Sequence, residues 1–184
     1  MEITIIRHGE TDWNKEIRYQ GSSDIELNEA GIKQAEKTAE LLVDRKFDVI
    51  IASPLLRARK TAEIISNRLK LPLEFDDRFR ERCVGVYEGL TAIEVQSKHP
   101  EQWQNNSTRQ MFLGPKEGES VFDVAFRIRK AIEDLSSKYQ ERKILIVTHG
   151  FVSRIIAGLL SRLPDNAFYE HRLKNCESMT FEIK

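Results

Sequence analysis

The sequence has no excess of either charge, hardly any cysteine and no long apolar run. Its 29 basic and 29 acidic residues cancel. Nothing global therefore draws the chain to nucleic acid or to an anionic membrane, and any affinity for anions has to be built locally. The two cysteines, Cys83 and Cys176, fit neither a metal-ligand spacing nor a small-domain disulfide framework. A bridge between them would close the pair, but two free thiols in a reducing cytosol is the expected state. The apolar stretches are far too short to span a bilayer. No basic segment followed by an apolar run and a cleavage site opens the chain, so no secretory leader is expected and the setting is read as the cytoplasm. Internal repeats, low-complexity tracts and linkers are missing too. A single domain over residues 1–184 is expected, as a monomer or a homodimer.

Strand and helix signals alternate along what remains. Ile3 to Ile6 reads as a short buried strand. Asn28 caps a helix with Ile32, Ala35, Ala39 and Leu42 on one face. Asp48 to Ser53 holds a second buried strand, and Pro54 suits the first turn of a helix striped by Ala58, Ala62, Ile65 and Leu69. Leu71 to Phe75 is a weaker third strand, and Thr91 with Glu94 forms a capping box for a short helix. Residues 99–119 are polar and read as a loop, part of an insertion at about 91–119 that would cap the domain. Ser120 and Asp123 open another helix, Lys143 to Thr148 is a clear strand, Phe151 to Ser161 is an apolar helix, and Met179, Phe181 and Ile183 alternate as a last half-exposed strand. The pattern predicts an α/β three-layer sandwich: a mostly parallel central sheet with helices on both faces.

Reactive side chains collect at three predicted strand ends. The first strand runs into Arg7-His8-Gly9, the second into Ser53 and then Arg57, and the strand from Lys143 into Thr148-His149-Gly150. Open parallel sheets bind ligands beyond the carboxyl ends of their strands, and helices that start there offer backbone N–H groups to an anion. Arginine grips phosphate oxygens in a planar fork. A neutral imidazole with one free nitrogen can attack phosphorus. Phosphoryl transfer then assigns roles: Arg7 and Arg57 clamp the oxygens, Asn14 and Thr11 donate neutral hydrogen bonds, His149 donates to a phosphoryl oxygen, and His8 is the nucleophile, its tautomer fixed by a backbone carbonyl at Gly9. Glu81 is the acid for the leaving group, because a dianionic phosphate beside it favours its protonated form. No third ligand joins His8 and His149 at metal-site spacing, so a zinc site is not expected.

Arg7-His8-Gly9-Glu10-Thr11 with Asn14, Ser53-Pro54-Leu55-Leu56-Arg57-Ala58, Glu81 with Gly85 and Glu88-Gly89, Gly118-Glu119-Ser120, and Thr148-His149-Gly150 together resemble the histidine phosphatase superfamily, the relatives of cofactor-dependent phosphoglycerate mutase. Arg-His-Gly alone is weak; five motifs in order over the whole chain are strong. The resemblance implies a phosphohistidine intermediate on His8, no metal and no cofactor. It implies a phosphate pocket of Arg7, Asn14, Arg57 and His149 with Glu81 as proton donor, Gln20-Gly21 near the substrate, and a backbone N–H from Gly150. Val84, Tyr87 and Lys60 depart from residues frequent in the family, which bears on substrate choice and not on the reaction.

Mutases of this type are longer, with an insertion after the region of Glu81 and an extended tail that shield the phosphoenzyme. The chain is more similar to the compact bacterial branch that includes α-ribazole phosphatase and broad-specificity phosphatases. The expected activity is thus hydrolysis of a small phosphorylated metabolite, with no nucleic-acid or membrane partner. Phosphoglycerate mutase activity and non-catalytic phosphate binding are the alternatives. Trp103, Met111 and Phe112 offer an apolar wall to the rest of a substrate, with loop packing as the simpler account.

Overall fold

The computed structural model describes residues 1–105, 107–161 and 172–183. Five strands form one sheet: β1 (Glu2–Arg7), β2 (Val49–Ala52), β3 (Leu73–Phe75), β4 (Lys143–Thr148) and β5 (Ser178–Glu182), in the order β3-β2-β4-β1-β5. Strands β1, β2, β3 and β4 pair in parallel, and β5 runs antiparallel along β1. Among the described residues the α-helices are α1 (Asp12–Lys15), α2 (Glu29–Leu41), α3 (Leu56–Leu69), α4 (Ala92–Lys98), α5 (Pro100–Gln104), α6 (Val121–Lys138) and α7 (Gly150–Leu160).

The period of two along each strand divides the core. Ile3, Ile5, Ile51, Ile144 and Ile146 pack with α6 and α7 on one face. Ile6, Ile50, Ala52, Leu145 and Val147 pack with α2 and α3 on the other. Because both faces are covered, the central strands are continuous apolar runs, whereas edge strand β5 alternates exposed residues with half-buried Met179 and Phe181. The α/β three-layer expectation is met.

The expected caps form. The Asn28 side chain accepts from Gly31 N–H, and Thr91 with Glu94 and Ser120 with Asp123 close reciprocal capping boxes. Helix α3 differs: it begins at Leu56, so Pro54 lies outside its first turn, and Leu55 gives no side-chain cap. Asp24 supplies one from a distance, accepting Leu56 N–H at 2.6 Å. Residues 99–119 are not all loop. Pro100 opens α5, where its missing N–H costs nothing. Helix α1 has no apolar periodicity to announce it; Thr11 and Asn14 cap each other there. Val84, Tyr87 and Val95 form a small apolar cluster of their own beneath this part of the chain.

Candidate active site

Register brings the reactive residues into a row. Arg7 pairs with Thr148 across β1 and β4, so His8 lies beside His149, and His8 N–H donates to Thr148 O at 2.9 Å. Ala52 pairs with Val147, which places Ser53 on the other side of His149. The two imidazole centroids are 5.2 Å apart. Ahead of them opens a cleft of about 380 Å³, lined by Arg7, His8, Asn14, Arg57, Glu81 and Gly150 together with Gln20-Gly21 and residues that the motifs did not single out.

His8 is held by its own neighbour. Its Nδ1 lies 2.6 Å from Gly9 O, so the proton sits on Nδ1 and Nε2 keeps its lone pair. Glycine at position 9 also has a packing reason. A Cβ there would lie 2.4 Å from Gly31 O, so Gly9 is needed for the close approach of α2. Burial pushes the His8 imidazole well below its usual range, and the charges of Arg57 and Arg7 push it further. His149 is displaced in the same direction, by burial and then by Arg57 and other neighbouring charge. Both rings are therefore neutral at physiological pH.

The partner of His149 Nε2 is Ser53. Ser53 Oγ accepts Leu55 N–H at 3.3 Å and lies 2.7 Å from His149 Nε2. The hydroxyl oxygen has a second lone pair, so the contact fits either tautomer; with Ser53 donating to Nε2, Nδ1 carries the ring proton. Nδ1 is buried and has no partner among the described residues.

The arginines are fixed through part of their forks. Arg57 is fully buried and donates from Nη1 to Ser23 O and from Nη2 to Gly21 O, both at 2.7 Å. Three of its five N–H groups remain, including Nε, which is buried without a partner among the described residues. Burial lowers its pKa to about 10, against the opposing charges of Glu81, Asp24 and Glu88, so it stays charged at neutral pH. Arg7 Nη1 donates to Leu173 O at 3.0 Å. Thr61 ties these pieces together, its hydroxyl donating to Arg57 O and accepting Gly9 N–H.

Glu81 is not absorbed by the neighbouring cations. Arg78 pairs with Asp76 and Asp134, and Arg80 with Asp77. The Glu81 carboxylate instead accepts N–H groups from Arg82 at 2.9 Å, Phe151 at 3.1 Å and Val152 at 3.4 Å. The start of α7 thereby holds it at the cleft.

Two of the predicted site residues, Thr11 and His149, do not line the cleft, and of these only Thr11 has its polar side-chain group committed elsewhere. It is fully buried, its hydroxyl caps α1 and donates to Asn14 Oδ1 at 3.2 Å, and it does not line the cavity. The Asn14 oxygen also accepts from Thr11 N–H and from Asn175 Nδ2, so its amide nitrogen is the group left for a ligand. Asn175 Nδ2 reaches His8 O as well, at 2.9 Å. Sequence patterns gave no signal for Asn175, Thr61 or Leu173. Arg154 had one: it follows Gly150 by one helical turn and lines the same cleft. Trp103 lines a neighbouring cavity, Met111 packs against the larger core, and Phe112 is exposed against Phe122. Both cysteines are free. Among the described residues no helix is long and apolar enough to cross a membrane.

Comparison with known proteins identifies the family. Residues 3–184 match the histidine phosphatase superfamily (branch 1). The chain is 38% identical over 185 residues to phosphoglycerate mutase-like protein 4 of Arabidopsis thaliana, covering 99% of this chain and 79% of that one. Its fold superposes on a mycobacterial glucosyl-3-phosphoglycerate phosphatase with a TM-score of 0.89 and 30% identity, over 97% of this chain and 90% of the other. The α-ribazole phosphatase of Shigella flexneri gives a TM-score of 0.90 at 27% identity, over 100% and 91%. The chain therefore belongs to the histidine phosphatase superfamily, as one of its phosphoric monoester hydrolases.

Proposed function

We propose that the protein hydrolyses a small phosphorylated metabolite through a phosphohistidine on His8, without metal or cofactor. The observation that carries this reading is the His8 ring itself. It is neutral, with Nδ1 committed to Gly9 O and Nε2 unbonded among the described residues. The charges of Arg57 and Arg7 that lower its proton affinity are the same charges that would gather a phosphate dianion in front of it.

His8 Nε2 attacks phosphorus in line as the bond from phosphorus to the ester oxygen breaks. Arg57 and Arg7 N–H groups, the Asn14 amide and His149 Nδ1–H receive the charge on the phosphoryl oxygens. Glu81 gives the departing alkoxide its proton. Water then attacks the phosphohistidine, its proton goes to Glu81, and inorganic phosphate leaves with His8 restored. Gly150, at the first turn of α7 and on the cleft wall, adds a backbone N–H to the cradle. The donor set is arginine, imidazole and amide, which suits an anion and not a metal ion.

Rapid quenching in alkali during turnover should trap a phosphoryl label that is acid-labile and base-stable. His8→Ala should lose both the label and roughly 10⁴-fold or more in kcat, and chelators should leave the wild-type rate unchanged. Full turnover by His8→Ala overturns the assignment. Label passing to 3-phosphoglycerate instead of to water would make the enzyme a mutase.

A further inference from the structure

The motif Glu88-Gly89 lies outside the phosphate pocket, and no step of the reaction uses it. Glu88 is half-buried and ends a single 3₁₀ turn, Gly85–Tyr87. Its backbone N–H donates to Gly85 O at 3.0 Å, and its Oε1 accepts Val84 N–H at 3.3 Å. The carboxylate is thus anchored from its own side. On the other side it meets the turn that carries Gln20-Gly21. Oε1 accepts Ser22 N–H at 2.9 Å and the Ser22 hydroxyl at 3.0 Å, and Oε2 accepts the Ser23 hydroxyl.

The same turn holds Arg57. Gly21 O accepts from Arg57 Nη2, and Ser23 O accepts from Nη1. Gly21 C=O and Ser22 N–H belong to one peptide unit, and a trans peptide points them in opposite directions. One peptide plane therefore stands between the Glu88 carboxylate and the Arg57 guanidinium, hydrogen-bonded to both. We propose that Glu88 is a positioning residue for phosphoryl transfer: it orients the Arg57 guanidinium through the Gly21–Ser22 peptide instead of by a direct ion pair. The inference rests on the phosphatase reading above and deepens it, since it concerns how the phosphate clamp is aimed.

Charge explains why the contact is made at one remove. Arg78 is the alternative: it gives Nε and Nη2 to Asp76 and Nη1 to Asp134, which leaves little of its fork for another anion. A carboxylate set that way on Arg57 would compete with phosphate for the same N–H groups. Two peptide oxygens fix the plane of the guanidinium and leave its other N–H groups for a ligand. Burial lowers the proton affinity of Arg57, and Glu88 is among the charges, with Glu81 and Asp24, that oppose it. Hydrogen bonds in a chain between opposite charges also polarise one another. The arrangement needs glycine at position 21. Its φ is +52°, and a Cβ there would lie 2.2 Å from Glu88 Oε1. The glycine of Gln20-Gly21 is therefore required by the carboxylate behind it.

The test sets reach against charge at position 88, with p-nitrophenyl phosphate as substrate and inorganic phosphate as competitive inhibitor. Glu88→Asp keeps the charge and is too short to hold Ser22 and Ser23 together. It should raise KM and the phosphate Ki roughly tenfold. Glu88→Gln keeps the reach and an acceptor oxygen and drops the charge, and should lose roughly threefold. In an Arg57→Ala background the Glu88→Asp penalty should disappear, because the group it acts through is gone. A residue needed only for stability would lower the melting temperature or the active fraction and leave Ki as it was. The proposal is overturned if Glu88→Asp leaves the phosphate Ki unchanged, if Glu88→Gln loses more than Glu88→Asp, or if the Glu88→Asp penalty is the same with and without Arg57. If Arg57→Ala alone leaves phosphate affinity unchanged, the clamp itself is misassigned, and the role of Glu88 falls with it.

Discussion

The two ends of the active cleft are built differently. At the phosphate end, His8, Arg57 and His149 are at most 3% exposed, and each is held by strand register or backbone carbonyls. At the other end, Tyr19, Gln20 and Thr108 are half-buried, Trp103 and Arg109 are exposed, and all come from a short helix, turns and irregular segments. The first end leaves the side chains almost no freedom, as in-line displacement requires. The second end is free to vary without disturbing the sheet. A chain built this way keeps its reaction and changes its substrates. Structural relatives at 27–30% identity with different named substrates are consistent with that division.

The sharpest way to break the comparison is Arg57→Ala. It removes the clamp and leaves the Gly21 and Ser23 carbonyls without their donor. We expect a loss of roughly 10³-fold in kcat/KM and a lowered melting temperature. Arg57→Lys should not restore activity, because one ammonium cannot reach two carbonyls and a phosphate in a fixed plane. Normal KM for phosphate esters in Arg57→Ala would show that the buried end is not the phosphate end.

Burial of two neutral histidines gives a pH signature. Their folded pKa values are depressed, so below pH 6.5 the unfolded chain binds protons that the folded chain refuses. Stability must then fall as pH drops below 6.5, by about 1.4 kcal/mol per pH unit for each histidine. Urea midpoints at pH 7 and pH 5.5 measure this, and His149→Gln should lessen the slope. Inorganic phosphate should lessen it too, since a bound anion favours protonated imidazole. A midpoint that does not move over this range would mean that the rings are not held neutral by the fold.

Ser53→Ala sharpens the same end. It frees His149 Nε2 and lets the ring proton move there, away from the ligand. A fall in kcat of roughly tenfold is expected, with little change in KM and with proton exchange of the His149 ring, observed by NMR, becoming faster. An unchanged kcat would mean that the serine only fills space.

The buried end was the legible one. An apolar strand followed by Arg7-His8 or by Thr148-His149 announces both an element and a residue at its end, because parallel strands deliver their carboxyl ends to one edge. The open end was not. Pro100–Gln104 is only five residues long, too short for periodicity to separate it from loop. Thr61, Leu173 and Asn175 act through backbone partners or by holding another side chain, and such contacts leave no spacing to read.

Thr11 marks the boundary between the two kinds of information. Its place beside His8 in the sequence suggested a ligand contact, because neighbours in a motif are easily read as neighbours at the substrate. The fold spends its hydroxyl on Asn14 N–H and Oδ1 at the start of α1. Thr11→Ala should therefore cost about 1 kcal/mol of stability, as the loss of an N-cap does, and KM should change less than roughly threefold because Asn175 still holds Asn14. Denaturant melts and steady-state kinetics on the same preparation separate the two effects. A large KM change at undiminished stability would return Thr11 to the substrate. The reverse result would place it with Thr61, as a residue that acts only through what it holds in position.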